Sequence, residues 1–446
     1  MSECVDKLEN GGVTMLRVPN EALWAILRPL LRLILRIKLY FLPARARMKQ
    51  PFVLLCNHAS WYDPLLAAVC VNRPLCFCGA DPAPRSGLLL RLARRLRQPD
   101  ALDWRAALKE AGQCGYCVGL FPEGERCIDG VTGPIPGELA AEIRKSGLGL
   151  VVLRLEGAYL TAPRWADEIP RRGRLRARLI RRLEPAVLRA METEQLQAML
   201  EQDLYEDAFA TARRRPGPYR GEHTAERLEK LLCVCPKCGA VGTMESRDNE
   251  LSCRACGFGT VFLLSGRFRG GNVPFETPLQ WSRWQNERIR LLCGQAGDGV
   301  IFEDGGYEIC DLRDGGERIG TGGLHLYRDR LELPTGIAVS RAELLSLRLV
   351  GGSGLRVETK RGSVFELRTL RPVCAQKYIT ALAFLAELPA PEKTEAAEPP
   401  QPERPEDTEP PEPEKTEEAE PPETERPEAE KDPGEEPEKS DEEAEA

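Results

Sequence analysis

The sequence predicts an α/β domain, then a four-cysteine module, then a small domain rich in β-strands, then an acidic tail. Three observations support this order. Short apolar runs that end in polar turns alternate with helical stretches over residues 1–220. Two Cys-x-x-Cys pairs lie within residues 233–265. Short alternating runs separated by Gly-rich turns fill residues 298–388 and end in a helical stretch, a pattern typical of antiparallel strands followed by one helix.

The charge is divided unevenly along the chain. Residues 391–446 contain 24 acidic and 6 basic residues and no aromatic residue, which gives this tail a net charge of −18. Since the whole chain carries −7, the first 390 residues carry +11. The tail has too little apolar surface to offset the entropy of an ordered chain, so we expect it to be disordered. It either solubilises the chain or folds over the basic body.

The chain has 16 cysteines, and its start, "MSECVDKLENGGV", lacks the basic and apolar regions of a secretory signal. We therefore expect a cytosolic, reducing location. There, cysteines are metal ligands or small core residues more often than disulfide partners.

Residues 21–43 contain the most apolar long segment, but no uncharged apolar stretch is long enough for a transmembrane helix. Arg28, Arg32 and Arg36 recur every four residues and form one stripe on a helix, which Pro29 is expected to kink or divide. A wide apolar face beside a cationic stripe favours a helix lying in a bilayer interface. The alternative is a helix that packs on the core with its arginines extended to solvent.

The basic run "PRRGRLRARLIRR" alternates apolar and cationic residues, as an edge strand with a charged face would. That face is either solvated or turned toward an anionic membrane surface. We expect no nucleic-acid partner, because aromatic residues do not interleave with these charges. Residues 191–214 after it are predicted to form a polar helix.

The stretch "LLCNHASWYDP" places His58 directly after an apolar run and Asp63 five residues later. An imidazole can take a proton near neutral pH, and a carboxylate on its second nitrogen can orient it and stabilise its charge. Five positions on one regular helix would separate the two side chains by about 140°. A dyad therefore requires His58 in the loop before a helix. The alternative is an ordinary turn after a buried strand.

A second stretch, "GLFPEGER", also follows an apolar run. A tight turn at Gly124 can expose backbone N–H groups, and the guanidinium of Arg126 can bind a phosphate. Taken alone, this stretch could equally be a surface turn.

Together, "NHASWYD" and, about sixty residues later, "FPEGER" resemble two blocks of the lysophosphatidic acid (1-acylglycerol-3-phosphate) acyltransferase family, over roughly residues 35–210. The resemblance implies that His58 is the general base for the acceptor hydroxyl and that Asp63 orients it. The residues that it implies for substrate binding are Phe121, Pro122, Glu123, Gly124 and Arg126. It also implies an acyl-CoA or acyl carrier protein donor, a lysophospholipid acceptor, and direct transfer without an acyl-enzyme.

The sequence departs from this family in three places. Glu125 stands where the family usually has Thr, and its charge would repel a phosphate unless Arg126 neutralises it. In the degenerate second block, "LLRLARRLRQPD", Arg97 is our candidate phosphate ligand. Gly149 and Val152 stand where the fourth block usually has prolines.

The cysteine pairs are Cys235-x-x-Cys238 and Cys253-x-x-Cys256, each followed by Gly and separated by fourteen residues. This spacing predicts a structural zinc ion with four thiolate ligands and no open position. Cys233 is a spare thiol that could compete with Cys235.

The predicted fold is thus an α/β acyltransferase domain, a zinc ribbon, a small β-rich barrel with a C-terminal helix, and a disordered acidic tail. The order of elements in the barrel resembles a pleckstrin-homology-like (PH-like) or GRAM-like domain. The predicted enzyme is a peripheral protein on the inner face of the cell membrane that converts 1-acylglycerol 3-phosphate to phosphatidic acid. Two alternatives stay open: another lysolipid or an amino-acid lipid as acceptor, or a non-enzymatic scaffold whose ribbon binds a partner. The protein partner of the ribbon or barrel is not predicted.

Overall fold

Two parallel strands carry the two sequence motifs, and the rest of the first domain is built around them. The structure is a computed structural model that describes residues 20–78, 103–166, 171–217, 219–313, 315–369 and 371–388. Two predicted features, Arg97 and the tail 391–446, lie outside the described residues. The chain divides into two units, Met1–Pro391 and Glu392–Ala446, and every described residue belongs to the first.

The first domain alternates strands and helices, as predicted. Its strands are β1 (Phe41–Leu42), β2 (Phe52–Cys56), β3 (Cys76–Cys78), β4 (Val118–Leu120), β5 (Gly149–Glu156) and β6 (Leu175–Leu183). Its helices, numbered over the described residues, are α1 (Glu21–Leu39), α2 (Asp63–Ala68), α3 (Trp104–Cys114), α4 (Leu139–Ser146), α5 (Ala158–Thr161), α6 (Pro185–Ala190), α7 (Thr193–Leu204) and α8 (Ala208–Arg214).

The six strands form one sheet in the order β1-β6-β5-β2-β4-β3, in which only the β5–β6 pair is antiparallel. Every residue of β2 is buried, since helices cover both faces. Phe52, Leu54 and Cys56 pack into the core on one face, while Val53 and Leu55 pack into the core on the other. β2 pairs in parallel with β4, so the carboxyl ends of both strands emerge at the same edge of the sheet.

Helix α1 begins at an Asn20 cap, whose side-chain oxygen accepts hydrogen bonds from the backbone N–H groups of Ala22 and Leu23. It continues through Pro29, so of the two expected effects of this proline the helix does not show division. Its buried side chains are Trp24, Leu31, Leu35 and Leu39.

The arginine stripe of α1 points partly inward. Arg28 donates to the carbonyl of Val71 at 2.8 Å, and Arg32 donates to the carbonyls of Val69 at 2.7 Å and Ala44 at 2.8 Å. Part of α1 therefore packs on the core, but Arg28 and Arg32 bond to backbone carbonyls rather than extending to solvent, and a position in a bilayer interface stays a prediction. A second apolar row is left exposed: Leu23, Ile26, Leu30, Leu33 and Ile37. No helix among the described residues is long and apolar enough to cross a membrane.

Two local predictions in this domain were wrong. β6 is not an edge strand, because β1 pairs with its Leu175 and Arg176. The predicted helix over 191–214 is two helices, α7 and α8. The chain between them turns to join the 130–132 segment, where Ala208 N donates to Gly130 O and Glu206 N donates to the Thr132 hydroxyl.

The second half of the described chain is mainly β-structure. Four strands follow the first domain and form a sheet in the order β10-β9-β8-β7: β7 (Met244–Arg247), β8 (Glu250–Cys253), β9 (Gly259–Phe262) and β10 (Phe268–Arg269). After α9 (Pro278–Gln295) come β11 (Phe302–Asp311), β12 (Glu317–Leu326), β13 (Arg330–Glu332), β14 (Ala338–Ser340), β15 (Leu344–Val350), β16 (Gly354–Thr359), β17 (Val364–Thr369) and α10 (Gln376–Glu387).

The last seven strands form one antiparallel sheet in the order β14-β13-β12-β11-β17-β16-β15, and α10 packs against it. We call residues 302–387 the C-terminal β domain. Its strands and closing helix agree with the predicted element order, while its assignment as PH-like stays a prediction.

The cysteine module is not an independent domain with its own hydrophobic core. Its Phe258 and Phe262 belong to the same apolar core as Phe52 and Leu54 of the sheet, and Phe262 meets Trp165 edge-on at 5.9 Å between ring centroids. Trp281 of α9 completes this core. The sequence boundaries between the first domain and the cysteine module therefore do not separate two hydrophobic cores.

Candidate active site

His58 and Asp63 meet at the end of β2, in the arrangement that the spacing required. His58 lies in the loop, and Asp63 is the first residue of α2. His58 Nδ1 and Asp63 Oδ2 are 2.9 Å apart, and their side chains are 2% and 0% exposed. With its proton on Nδ1 and bonded to the carboxylate, the imidazole has a lone pair on Nε2. Among the described residues, none forms a hydrogen bond with that buried Nε2.

The Asp63 carboxylate is fixed by more than the imidazole. Its Oδ2 also accepts hydrogen bonds from the N–H groups of Ala59 at 2.6 Å and Ser60 at 2.7 Å, and its Oδ1 accepts one from the Ser60 hydroxyl. These hydrogen bonds hold the carboxylate in one orientation toward the imidazole. The small Ala59 and the polar Ser60 permit the tight turn that brings these donors round.

Asn57 anchors the same loop to the sheet. Its side-chain amide donates to Leu155 O at 3.1 Å, and its side-chain oxygen accepts from Leu155 N at 2.7 Å. These two hydrogen bonds tie the Asn57 side chain to the backbone of β5. The position of the residue that precedes His58 is therefore fixed relative to the sheet.

The "FPEGER" turn follows β4 and lies directly against the His58 loop. Phe121 stacks on the imidazole at 4.2 Å between ring centroids. Gly124 closes the turn with its N–H donating to Phe121 O at 3.0 Å, and its φ of +74° is a conformation that favours glycine. Gly119, one residue before the end of β4, has the ring of Phe77 where a Cβ would lie, which leaves room for Phe77 beside Phe121.

Glu123 joins the two loops. Its Oε1 accepts from His58 N at 2.6 Å, and its Oε2 accepts from Gly133 N at 2.8 Å. Burial raises the pKa of this carboxyl to about 8, although the two N–H groups act in the opposite direction. In this structure both carboxyl oxygens of Glu123 bond to protein backbone, and they tie the "FPEGER" turn to the His58 loop and to Gly133.

A second buried acid lies near His58. Glu206 lines a cavity of about 10 Å³ together with His58 and Asn57. Burial raises the pKa of Glu206 to about 7. No motif marked this residue, which reaches the site because the α7–α8 break turns back on the 130–132 segment.

Glu125 is neutralised by a residue that the sequence did not indicate. Its Oε2 lies 2.8 Å from Arg164 Nη1, and the Arg164 side chain is 2% exposed. Arg126 was the predicted neutralising residue. In the structure Arg126 is half-buried, and its carbonyl oxygen accepts a hydrogen bond from Arg164 Nη1 at 3.1 Å. Pro122 is half-buried in the same turn.

Residues 38–154, which contain both loops, match a family model described as Acyltransferase. This region resembles the acyltransferases. Among solved structures, one that is similar is that of the 1-acyl-sn-glycerophosphate (LPA) acyltransferase PlsC from Thermotoga maritima, with 17% sequence identity and a TM-score of 0.29. The likeness covers 36% of this chain and 69% of that chain. No curated protein matches the chain. We call residues 38–154 the acyltransferase-like region.

The four predicted metal ligands also come together. The Sγ atoms of Cys235, Cys238, Cys253 and Cys256 all lie within 4.8 Å of one another. Two of the Sγ–Sγ distances, Cys235–Cys256 and Cys238–Cys253, are 3.7 and 3.8 Å. A tetrahedral zinc ion with Zn–S bonds of about 2.3 Å requires sulfurs about 3.8 Å apart, so the four thiols fit zinc.

The backbone around the thiols has the expected symmetry. Gly239 and Gly257 both have positive φ, and their N–H groups donate to the carbonyls of Cys235 and Cys253 at 2.9 and 3.0 Å. Cys233 is not part of the cluster; it is buried, and its N–H donates to the side-chain oxygen of Gln285 at 2.7 Å. Four thiolates leave zinc no position for substrate, so the ion would hold the module together.

Proposed function

We propose that this protein transfers a fatty acyl group from acyl-CoA or acyl carrier protein to the free hydroxyl of a lysophospholipid, 1-acylglycerol 3-phosphate first among them. The observation that supports this most strongly is His58, whose Nδ1 is bonded to Asp63 and whose Nε2 has a lone pair, beside the "FPEGER" turn of an acyltransferase-like region.

In the proposed reaction, His58 Nε2 takes the proton of the acceptor hydroxyl while Asp63 stabilises the imidazolium that forms. The acceptor oxygen attacks the thioester carbonyl and forms a tetrahedral intermediate. When this collapses, the C–S bond breaks, the ester remains, and the thiolate takes the proton from Nε2. The buried position of His58 shields the intermediate from water and favours transfer over hydrolysis.

The exposed surface of α1 supports action at a membrane. The row of Leu23, Ile26, Leu30, Leu33 and Ile37 follows the helical repeat, and each side chain is at least half exposed. An apolar row on an anchored helix suits the boundary between headgroups and acyl chains. We propose that the protein is cytoplasmic and binds the inner face of the cell membrane through this row and its basic surface.

The direct test is acyl transfer to lysophosphatidic acid by the purified full-length protein, with acyl-CoA and with acyl carrier protein as donors. His58→Ala should abolish transfer. His223→Ala is the matched control, because His223 also pairs with an aspartate, Asp248, at 2.5 Å but outside the site. Equal rates for wild type and His58→Ala would contradict His58 as the general base, and no transfer by the wild type to any acceptor would favour a non-enzymatic scaffold.

The second candidate is the same reaction on an acceptor without a phosphate monoester, such as another lysolipid or an amino-acid lipid. Glu125 favours it, since the family usually has an uncharged Thr at this position. The ion pair of Glu125 with Arg164 weakens the repulsion that Glu125 would exert on a substrate phosphate, because the carboxylate already has a cationic partner. Competition between acceptors in the same assay decides between the two.

A further inference from the structure

Arg164 joins the site to a distant part of the chain. Its guanidinium donates from Nη1 to Glu125 Oε2 at 2.8 Å and to Arg126 O at 3.1 Å. The same group donates from Nη2 to Leu349 O at 2.6 Å and from Nε to Gly351 O at 3.2 Å. Leu349 lies near the end of β15 and Gly351 in the turn between β15 and β16, both in the C-terminal β domain.

This turn is itself held in place. Gly351 has a φ of +61°, and Ser353 is buried with its carbonyl accepting from the Tyr307 hydroxyl at 3.4 Å. The Ser353 hydroxyl accepts from Val373 N at 3.3 Å. Contacts within the β domain therefore position the carbonyl groups that accept hydrogen bonds from Arg164.

At the other end, the bonds continue to the backbone of His58. Arg164 bonds to the backbone of Arg126, and the next residue, Cys127, donates its N–H to His58 O at 2.9 Å. Hydrogen bonds and one ion pair thus connect Gly351 to His58 through Arg164 and the 125–127 turn. A planar guanidinium has five donors on three nitrogen atoms in a fixed geometry, whereas the three donors of a lysine ammonium share one nitrogen and cannot reach acceptors on both sides in the same way.

We propose that Arg164 is a positioning residue of the acceptor site, and that through it the C-terminal β domain is a structural part of that site. The kinetic part of this proposal rests on the proposed acyl transfer, while the structural part does not. Without Arg164, the Glu125 carboxylate loses its partner, and the 125–127 turn is free to move relative to His58.

The first experiment compares Arg164→Ala and Arg164→Lys with Arg154→Ala in the full chain. Arg154 is a matched control, because its guanidinium also donates to backbone carbonyls, those of Gln202 and Asp203, without contacting the 125–127 turn. Amide exchange at Cys127 should be about tenfold faster in Arg164→Ala and intermediate in Arg164→Lys. The KM for lysophosphatidic acid should rise by about tenfold, with kcat within about twofold, and Arg154→Ala should change neither.

The second experiment perturbs the β domain alone. Gly351 and Gly362 both have positive φ and open space where a Cβ would lie, but only Gly351 accepts from Arg164. A β-branched residue is strained at either position and moves the local carbonyl. Gly351→Val should accelerate Cys127 exchange and raise the acceptor KM by at least about threefold. Gly362→Val should lower the melting temperature by a similar amount. It should leave Cys127 exchange and the acceptor KM unchanged.

Unchanged Cys127 exchange in Arg164→Ala and Gly351→Val would overturn the proposal, as would equal effects of each variant and its control. If Arg164→Ala does not fold, Arg164→Lys and the two glycine variants test the positioning role of Arg164 in its place. Faster Cys127 exchange in a protein that shows no acyl transfer would support the positioning role and contradict the proposed function.

Discussion

The imidazole of His58 lies flat against the ring of Phe121, with an interplanar angle of 23° and 4.2 Å between the centroids. The contact brings together residues from two loops that are 63 positions apart in sequence. It exists because β2 and β4 are parallel neighbours whose carboxyl ends share one edge of the sheet. Stacking also prevents rotation of the imidazole away from Asp63.

Asp63→Asn should reduce kcat/KM for acyl transfer by about 10²-fold or more. An amide cannot accept from Nδ1, Ala59 N and Ser60 N as the carboxylate does, and it stabilises no imidazolium. Steady-state kinetics at neutral pH measure this, with Asp248→Asn as control because Asp248 pairs with His223 far from the motif. A variant that stays folded and as active as wild type would rule out the dyad.

The four-thiol cluster should contain about one zinc ion per chain, measured by atomic emission. Cys238→Ser should lose the zinc and lower the melting temperature of the first domain by at least about 10 °C, because cluster and sheet share one core. Cys114→Ser is the control, since Cys114 lies on α3 outside the cluster. Zinc retained in Cys238→Ser would contradict the four-ligand site.

The exposed row of α1 should bind membranes. Replacing Leu30 and Leu33, each 54% exposed, by Glu should weaken binding to vesicles of phosphatidylcholine and anionic phosphatidylglycerol by about 100-fold or more. Co-sedimentation measures the affinity. Leu345→Glu is the control, since Leu345 is 62% exposed on β15. Equal affinity for all three proteins would show that α1 does not face the bilayer.

Arg32 should stabilise the fold through its backbone acceptors. Arg32→Ala leaves the carbonyls of Val69 and Ala44 without their charged donor and should lower the free energy of unfolding by about 1–3 kcal/mol. Arg36→Ala, at the exposed end of the same stripe, should cost less than about 0.5 kcal/mol. Urea unfolding measures both. Equal values would mean that these hydrogen bonds contribute nothing net.

The carboxyl of Glu123 should make the stability of the fold decrease as pH rises. Its pKa is raised to about 8 in the folded state, against an ordinary value of 4.5, so the folded state binds the extra proton between these pH values. The contribution is complete below about pH 4.5 and lost as pH passes 8. Glu123→Gln removes this titration. Its unfolding free energy, measured from pH 5 to 8, should decline less steeply than that of wild type. Parallel curves would show that Glu123 titrates normally.

Much of the site followed from local sequence. The residues His58, Asp63 and Gly124 act through neighbours within five positions, so the loop and the turn could be predicted from spacing and residue type. The partner of Glu125 could not be predicted, because Arg164 is 39 positions away in a segment, "TAPRWADE", that matches no motif. Arg164 also donates to Leu349 O and Gly351 O of the C-terminal β domain, a contact that local sequence does not record.

For the fold, individual strands could be predicted from the sequence, but their neighbours in the sheet and one helix break could not. Apolar runs predicted β2 and β4, in which every residue is buried and is apolar or glycine, and most of β5, in which Arg154 and Glu156 interrupt the run. The alternation of β6 predicted a strand but not its neighbour, since a two-residue partner such as β1 has almost no sequence signal. The break between α7 and α8 depends on the contact of Ala208 with Gly130, which helix periodicity does not record.

The shared core of the sheet and the cysteine module has a consequence for synthesis. The apolar core that begins at Trp24 is completed by Phe258, Phe262 and Trp281. During translation, the amino-terminal half leaves the ribosome long before these aromatic side chains exist. Part of the apolar surface of the sheet then stays exposed to solvent until the later residues are synthesised. The first domain can therefore complete its core only after the cysteine module and α9 have been made. A nascent chain stalled before residue 281 should therefore be a substrate for chaperones.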